Sequence, residues 1–304
     1  MLDKFVGIVT GYVNTHTVKQ IIALPILLLV LSIAIITGAT VLHGTPVPLG
    51  LEFEGGVMAT LATDMTDSQL ENDFASYDLI SVRAAGNRKL VQFGAMDQDT
   101  QMQLTEHINE KYPDSEIMQI GQVYSTELQK QAIKAVIFAF LGMAIVVFLI
   151  FRSPIPSGAV VLSAFSDIVI AVAFMNIIGI ELTIGTVAAL LMLIGYSVDS
   201  DILLTTRLLK RRGTIEDNIF HAMKTGMTMT LTTLAALVMM YLVSTFSYLV
   251  TSFSQISIIS DISIVLIFGL AADLVNTWLL NTGILKWYIE TTPQRKSSKK
   301  RARS

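Results

Sequence analysis

The sequence predicts a polytopic α-helical membrane protein: six transmembrane helices, with an external ferredoxin-like α+β domain between the first and second spans. Three observations carry that prediction. Apolar stretches at 21–42, 132–151, 156–178, 184–206, 226–250 and 256–288 each reach the roughly 20 residues that cross a bilayer as a helix. Of the 304 residues, 52% are hydrophobic and only 15% charged, a balance outside the range of ordinary soluble domains. The one long hydrophilic segment, 43–131, alternates strand and helix patterns of its own.

Residues 1–20 read as an N-terminal segment and 21–42 as the first span. Its apolar run is too long for a signal-peptide core and no small-x-small cleavage site follows, so an uncleaved anchor is expected. Within 43–131 the pattern gives strand (55–63), helix (67–77), strand (79–84), strand (89–95), helix (100–111) and strand (116–123). Thr66-x-x-Gln69 and Thr100-x-x-Gln103 have capping-box spacing at the two helix starts, and Gly86-Asn87 has the chemistry of the turn between the central strands. A βαββαβ order is the ferredoxin-like sandwich. Its histidine, His107, is expected on a helix surface. Residues 132–288 make a five-helix bundle with a loop at 207–225, read as a short amphipathic surface helix over Leu208–Thr225. Residues 289–304 form a basic tail, suited to anionic lipid, with a ribosome as the other partner of that chemistry.

Basic residues set the expected orientation. Fifteen of the 21 lysines and arginines fall on one side, at Lys4, Lys19, Arg152, Arg207, Lys210, Arg211, Arg212, Lys224, Lys286 and the tail. The other six lie between Arg83 and Lys134, in or beside the long loop, and long loops translocate regardless of charge. The short connections near 179–183 and 247–255 carry none, and Glu181 in the first of them is expected to be solvated. Both termini are thus expected in the cytoplasm, with 43–131 outside the cell membrane.

The chain has no cysteine, which excludes disulfides and thiolate chemistry. No phosphate loop, His-rich metal motif or catalytic triad is present, so neither an enzyme activity nor a metal or cofactor is expected. The chemistry on offer is acidic and buried. An aspartate at the centre of a spanning helix costs roughly 2.5–3.5 kcal/mol on insertion scales, yet Asp167, Asp199, Asp201, Asp261 and Asp273 all lie within or beside the apolar stretches. Asp167 shares a helical face with Ser163 and Ala171. Two roles fit it: a protonated carboxyl bonding a neighbouring helix, or membership of an ion or proton path. Asp199 and Asp201 point about 200° apart on a helix, so they cannot face one partner. Gly195 and Arg207 share the Asp199 face, whereas Thr205 extends that of Asp201. Asn276, Thr277 and Asn281 extend the face of Asp273, and Asp261 reads as a partly solvated acid at a helix entry.

Several of these segments resemble the SecD/SecF family of protein-export membrane subunits, on its SecF side and in its archaeal branch. The resemblance spans nearly the whole chain. It includes Phe53-Glu54-Gly55-Gly56 after the first span, Glu127-Leu128 and Gln131-Ala132-Ile133 at the entry to the second, and Ser166-Asp167-Ile168 in the third. Its most specific part is Thr186-Val187-Ala188-Ala189-Leu190 running into Ile194-Gly195-Tyr196-Ser197-Val198, closed by Arg207. The common bacterial pattern continues with Asn-Asp-Thr where this chain has Asp199-Ser200-Asp201, so the family's transport-linked aspartate falls on Ser200 with an acid on either side.

The resemblance implies half of a resistance–nodulation–division type architecture that pairs with SecD. Its partners would be the Sec translocation channel, preprotein and membrane lipid, with no nucleic acid. The complex would use the proton or ion gradient to assist preprotein export. On that reading Asp199 or Asp201 is the proton-responsive group, Asp167 and Asp273 supporting carboxyls, and Arg207 a charge partner near the inner exit. Gly195, Tyr196, Ser197, Ser200, Glu54, Gly55 and Gly56 would shape the motifs. The alternative is a half-transporter of the same superfamily exporting lipid or small molecules, for which an external segment of about 89 residues is small. A structural stabiliser of the channel is a third reading.

Overall fold

The computed structural model describes residues 2–85, 88–210, 214–246 and 257–291. The expected turn at Gly86-Asn87, the bases Arg211 and Arg212, the connection 247–255 and most of the basic tail lie outside these residues. A helix, α1 (Leu2–Thr15), occupies the N-terminal segment, where no element is expected from the sequence. Val6 and Val13 are fully buried beside Ile219 and Met223, and Thr10 Oγ1 reaches Met223 Sδ at 3.4 Å. Gly7 and Gly11 lower the helix propensity of this stretch, so packing rather than local preference sustains it. The first span is α2 (Val18–His43), opened by a capping box between Thr17 and Gln20.

The α+β domain begins with a single turn, α3 (Leu51–Glu54), then β1 (Gly56–Leu61), α4 (Asp67–Asp73), β2 (Leu79–Ala85), β3 (Arg88–Phe93), α5 (Gln98–Lys111) and β4 (Glu116–Ile120). The sheet order is β2-β3-β1-β4 with every pair antiparallel, the split-βαβ order of a ferredoxin-like sandwich. One face is sealed. Val57, Ala59, Leu61, Val91 and Phe93 pack against Leu70, Phe74, Leu104 and Ile108 beneath the two helices. The Thr66–Gln69 box opens α4, but α5 starts earlier than its expected cap: Asp97 accepts from Thr100 N at 3.2 Å and from Thr100 Oγ1 at 2.7 Å. An aspartate three residues before the threonine takes the cap instead.

His107 lies on α5 with its side chain 34% exposed, and it has neighbours there. Its ring stands edge-on to Phe74 at 5.6 Å, and Nε2 is 3.5 Å from the Asp73 carboxylate, which also pairs with Lys111 and accepts from Tyr112 Oη at 2.8 Å. Burial would raise the Asp73 carboxyl, but the Lys111 and Tyr112 hydrogen bonds and the Lys111 charge hold it below its ordinary 3.8. A depressed carboxyl adds stability that is present above the unfolded value and lost as pH falls through the folded one. Hydrogen exchange of the domain should therefore show stability falling below about pH 4, and Asp73→Asn should flatten that fall. An unchanged acid limb in the variant would show that other groups carry it.

The remaining spans are α6 (Gln122–Phe151), α7 (Pro154–Ile178), α8 (Ile184–Lys210), α9 (Ile215–Phe246) and α10 (Ser257–Val275), which continues through a π-helical turn (Asn276–Asn281) into α11 (Thr282–Thr291). They complete six helices long and apolar enough to cross a membrane. Among the described residues of 208–225 there is no separate surface helix, because α8 and α9 extend into that stretch from either side. The spanning windows of α7 and α8 are 56% buried, against 6% for α6 and 17% for α9, so α7 and α8 are central and α6 and α9 peripheral. Small residues let neighbouring helices approach closely. A Cβ on Gly226 would stand 2.9 Å from Trp278 Cη2, and one on Gly283 would stand 2.7 Å from Ile22 Cγ1.

Candidate functional site: a buried aspartate cluster

Three of the expected carboxyls meet where α7, α8 and the α10–π junction touch. Asp167 and Asp201 have no exposed surface and Asp273 has 1%. Asp167 comes from the middle of α7. Its Oδ2 accepts from Ser197 Oγ at 2.5 Å and its Oδ1 from Asn276 Nδ2 at 2.6 Å. Asp201 Oδ1 accepts from Asn281 Nδ2 at 2.7 Å and from Thr277 Oγ1 at 2.9 Å. Asp273 accepts from Thr277 Oγ1 at 2.9 Å and from Ser200 Oγ at 3.0 and 3.2 Å. Ser200 and Thr277 oxygens are themselves 3.1 Å apart.

The π turn makes this possible. On a regular helix Asn276 and Thr277 would follow Asp273 on one face, with Asn281 a further turn along it. The wider turn over Asn276–Asn281 instead sends the Asn276 amide to Asp167 and the Asn281 amide to Asp201, leaving Thr277 between Asp201 and Asp273. Such single π turns concentrate at functional sites.

Proton counting gives the cluster its chemistry. Thr277 holds one hydroxyl proton yet stands 2.9 Å from an oxygen of each of two carboxyls, so it donates to one at a time. Both contacts are hydrogen bonds together only when one of the two carboxyls carries a proton and donates it to Thr277. Asp201 Oδ2 and Ser163 Oγ are also buried at this junction. The hydroxyls of Thr277 and Ser200 thus link Asp201 on α8 to Asp273 on α10.

The other expected site residues go elsewhere. Asp199 lies on the exposed outer face of α8 with Ile184, Ala188, Met192, Gly195 and Tyr196, so the two acids of the motif do diverge as their spacing requires. Arg207 Nη2 donates to Thr225 Oγ1 on α9 at 3.1 Å and takes no part in the hydrogen bonds of the cluster. Glu54, Gly55 and Gly56 form the joint between α3 and β1, where Gly55 has φ +80° and Gly56 +117°. The Glu54 carboxyl is raised by burial and then by the charge of Asp78; Gln92 Nε2 donates to it at 3.4 Å, and Gln129 on α6 donates to Phe53 O at 2.5 Å. Ser197 and Ser200, expected to shape the motif, bond the cluster carboxyls directly. Glu181 is not solvated: it is 9% exposed and ion-paired with Arg83 of the α+β domain.

Sequence and structure comparisons bear on what such a cluster serves. The profile described as "Protein export membrane protein SecD/SecF, C-terminal" matches residues 100–291. The protein-export membrane protein SecF of Methanolacinia petrolearia is 50% identical over 284 residues, 93% of this chain and 98% of that one. SecF of Haloferax volcanii is 42% identical over 275 residues, covering 90% and 93%. Among solved structures, SecDF of Thermus thermophilus, a translocon-associated membrane protein, aligns over 90% of this chain with a TM-score of 0.70. At 17% identity that likeness concerns the fold, and it spans 38% of the SecDF chain.

Proposed function

The chain belongs to the SecD/SecF family of protein-export membrane proteins, and from that premise we propose that it uses the proton or ion gradient to assist preprotein export through the Sec channel. The single observation that carries this reading is the hydroxyl-linked cluster of Asp167, Asp201 and Asp273, buried where three spanning helices meet. Three carboxyls at that depth are costly to retain for packing alone, and a charge crossing the potential gains about 2.3 kcal/mol per 100 mV. Asp201 and Asp273 take up and release the proton, and Asp167 holds Ser197 and Asn276 in place as a supporting carboxyl. Ser200, at the family's aspartate position, bonds Asp273, so a carboxyl still reaches that position but arrives from α10.

The exposed α8 face bearing Asp199 turns towards SecD, the second half of the pseudo-symmetric pair. Arg207 sits near the inner exit, both termini are cytoplasmic and the α+β domain is external. The test is gradient-stimulated secretion in vesicles carrying Asp199→Asn, Asp201→Asn and the double variant, at varied pH and sodium. Asp201→Asn should lose the stimulation, and Asp199→Asn should instead weaken co-purification with SecD. Normal stimulation in all three overturns the assignment.

A further inference from the structure

The clue is the tie between the α+β domain and the bundle. On the sheet face opposite α4 and α5, Met58, Thr60 and Leu90 line a 240 Å³ cavity whose floor includes Thr183, Ile258 and Asp261. Arg83 of β2 reaches across to an ion pair with Glu181, and Asp261, whose charge favours the guanidinium, lines the same cavity. The pair is asymmetric: the Arg83 side chain is 42% exposed and that of Glu181 11%. Release therefore returns the cation to water but strands the acid.

Both acids are rigidly mounted on the helices that carry the aspartate cluster. Glu181 O accepts from Thr186 Oγ1 at 3.1 Å, and Thr183 and Thr186 cap each other at 2.7 and 3.2 Å, which fixes Glu181 to the start of α8 and hence to Ser200 and Asp201. Asp261 lies on α10 itself, about 18 Å along the axis from Asp273. The loop before the domain is stitched to the same place, with Gly50 N donating to Leu182 O at 2.8 Å and Leu182 N to Pro48 O at 2.7 Å.

We propose that Arg83 is a positioning residue: ion-paired with Glu181 on the α8 lead and facing Asp261 of α10 around one cavity, it makes the seat of the α+β domain depend on the relative placement of the two helices that share the buried aspartates. Its link to export rests on the reading above, whereas the clamp itself rests on these contacts. Because the chain is free of cysteine, two spin labels can be placed cleanly on the full-length protein in lipid nanodiscs at Met102 and Ile177, both exposed. Pulsed electron paramagnetic resonance should then give a narrow distance distribution that Arg83→Gln broadens at least twofold and Arg83→Lys broadens less. Glu181→Gln should broaden it as well, and the charge-reversed pair Arg83→Glu with Glu181→Arg should largely restore it. Asp273→Asn should shift the distribution in the Arg83 protein and leave it unmoved in Arg83→Gln. Hydrogen exchange across β1 and β3 distinguishes a loosened clamp from an unfolded domain. Identical distributions for Arg83→Gln and the parent overturn the clamp, and an Asp273→Asn shift that survives in Arg83→Gln overturns the coupling. If the clamp behaves as expected while gradient-stimulated secretion is unaffected by the aspartate variants, the export reading fails alone.

Discussion

Asp273→Asn is expected to abolish most of the gradient-stimulated component of secretion while leaving the bundle folded. Asparagine matches aspartate in volume, so the contacts of α10 with α7 and α8 persist, and the local cost is that of one rearranged hydrogen-bond set, about 1 kcal/mol. The chemistry is what disappears. Asp273 is the acceptor for both Ser200 and Thr277, and Thr277 is the group it shares with Asp201. An amide at position 273 can still bond both hydroxyls, but it neither accepts nor releases a proton near neutral pH. The loss should be about tenfold or more, the ratio that 1–3 kcal/mol of coupling free energy supports. The measurement is preprotein uptake by inverted vesicles with and without an imposed proton gradient, normalised to subunit abundance. Retained stimulation would remove Asp273 from the path. Loss of basal uptake together with loss of the subunit would mark the role as structural.

The sequence carried much of this site, and what it lacked has physical causes. Spacing alone separates Asp199 from Asp201, because two residues span about 200° on any helix, and the structure exposes one and buries the other. The face of Asp273 with Asn276, Thr277 and Asn281 is legible for the same reason. The destinations of those side chains are not, because a π turn leaves no composition signal and it alone redirects the two amides. Pairing of Arg83 with Glu181 joins residues nearly a hundred positions apart, and local pattern says nothing about contacts of that range. Glu181 therefore reads as a solvated loop acid until the domain is seated above it. The α1 helix is hidden by its glycines, whereas its apolar positions Val6 and Val13 are buried in a cluster shared with other helices, α9 among them.

The bundle's acids and the domain's position also depend on the joint that precedes β1, and there the largest stability effect is expected from Gly56→Ala. Gly56 has φ +117°, outside the regions open to residues with a Cβ, and a Cβ built there would overlap the Phe93 carbonyl oxygen. Strain of about 1–3 kcal/mol for the backbone adds to overpacking of about 1–3 kcal/mol. Relief requires β1 to shift against β3, and β1 is the central strand, paired with β3 on one side and β4 on the other. Hydrogen exchange should therefore quicken across β1, β3 and β4 by a factor of a hundred or more, the ratio that roughly 3 kcal/mol implies. Gly55→Ala is the comparison: with φ +80° and ψ 172° it too holds a conformation that residues with a Cβ avoid, but the nearest neighbour of a new Cβ is the movable Ser125 Oγ at 3.2 Å, so backbone strain of about 1–3 kcal/mol should stand without the overpacking. Both tryptophans, Trp278 and Trp287, lie in the last span, so indole fluorescence monitors the bundle separately and should not change in either variant. Equal exchange rates in Gly56→Ala and the parent would mean that β1 tolerates a different path into the sheet. The glycine would then serve the approach of α3 to α6, with Gln129 and Phe53 as the contacts to examine.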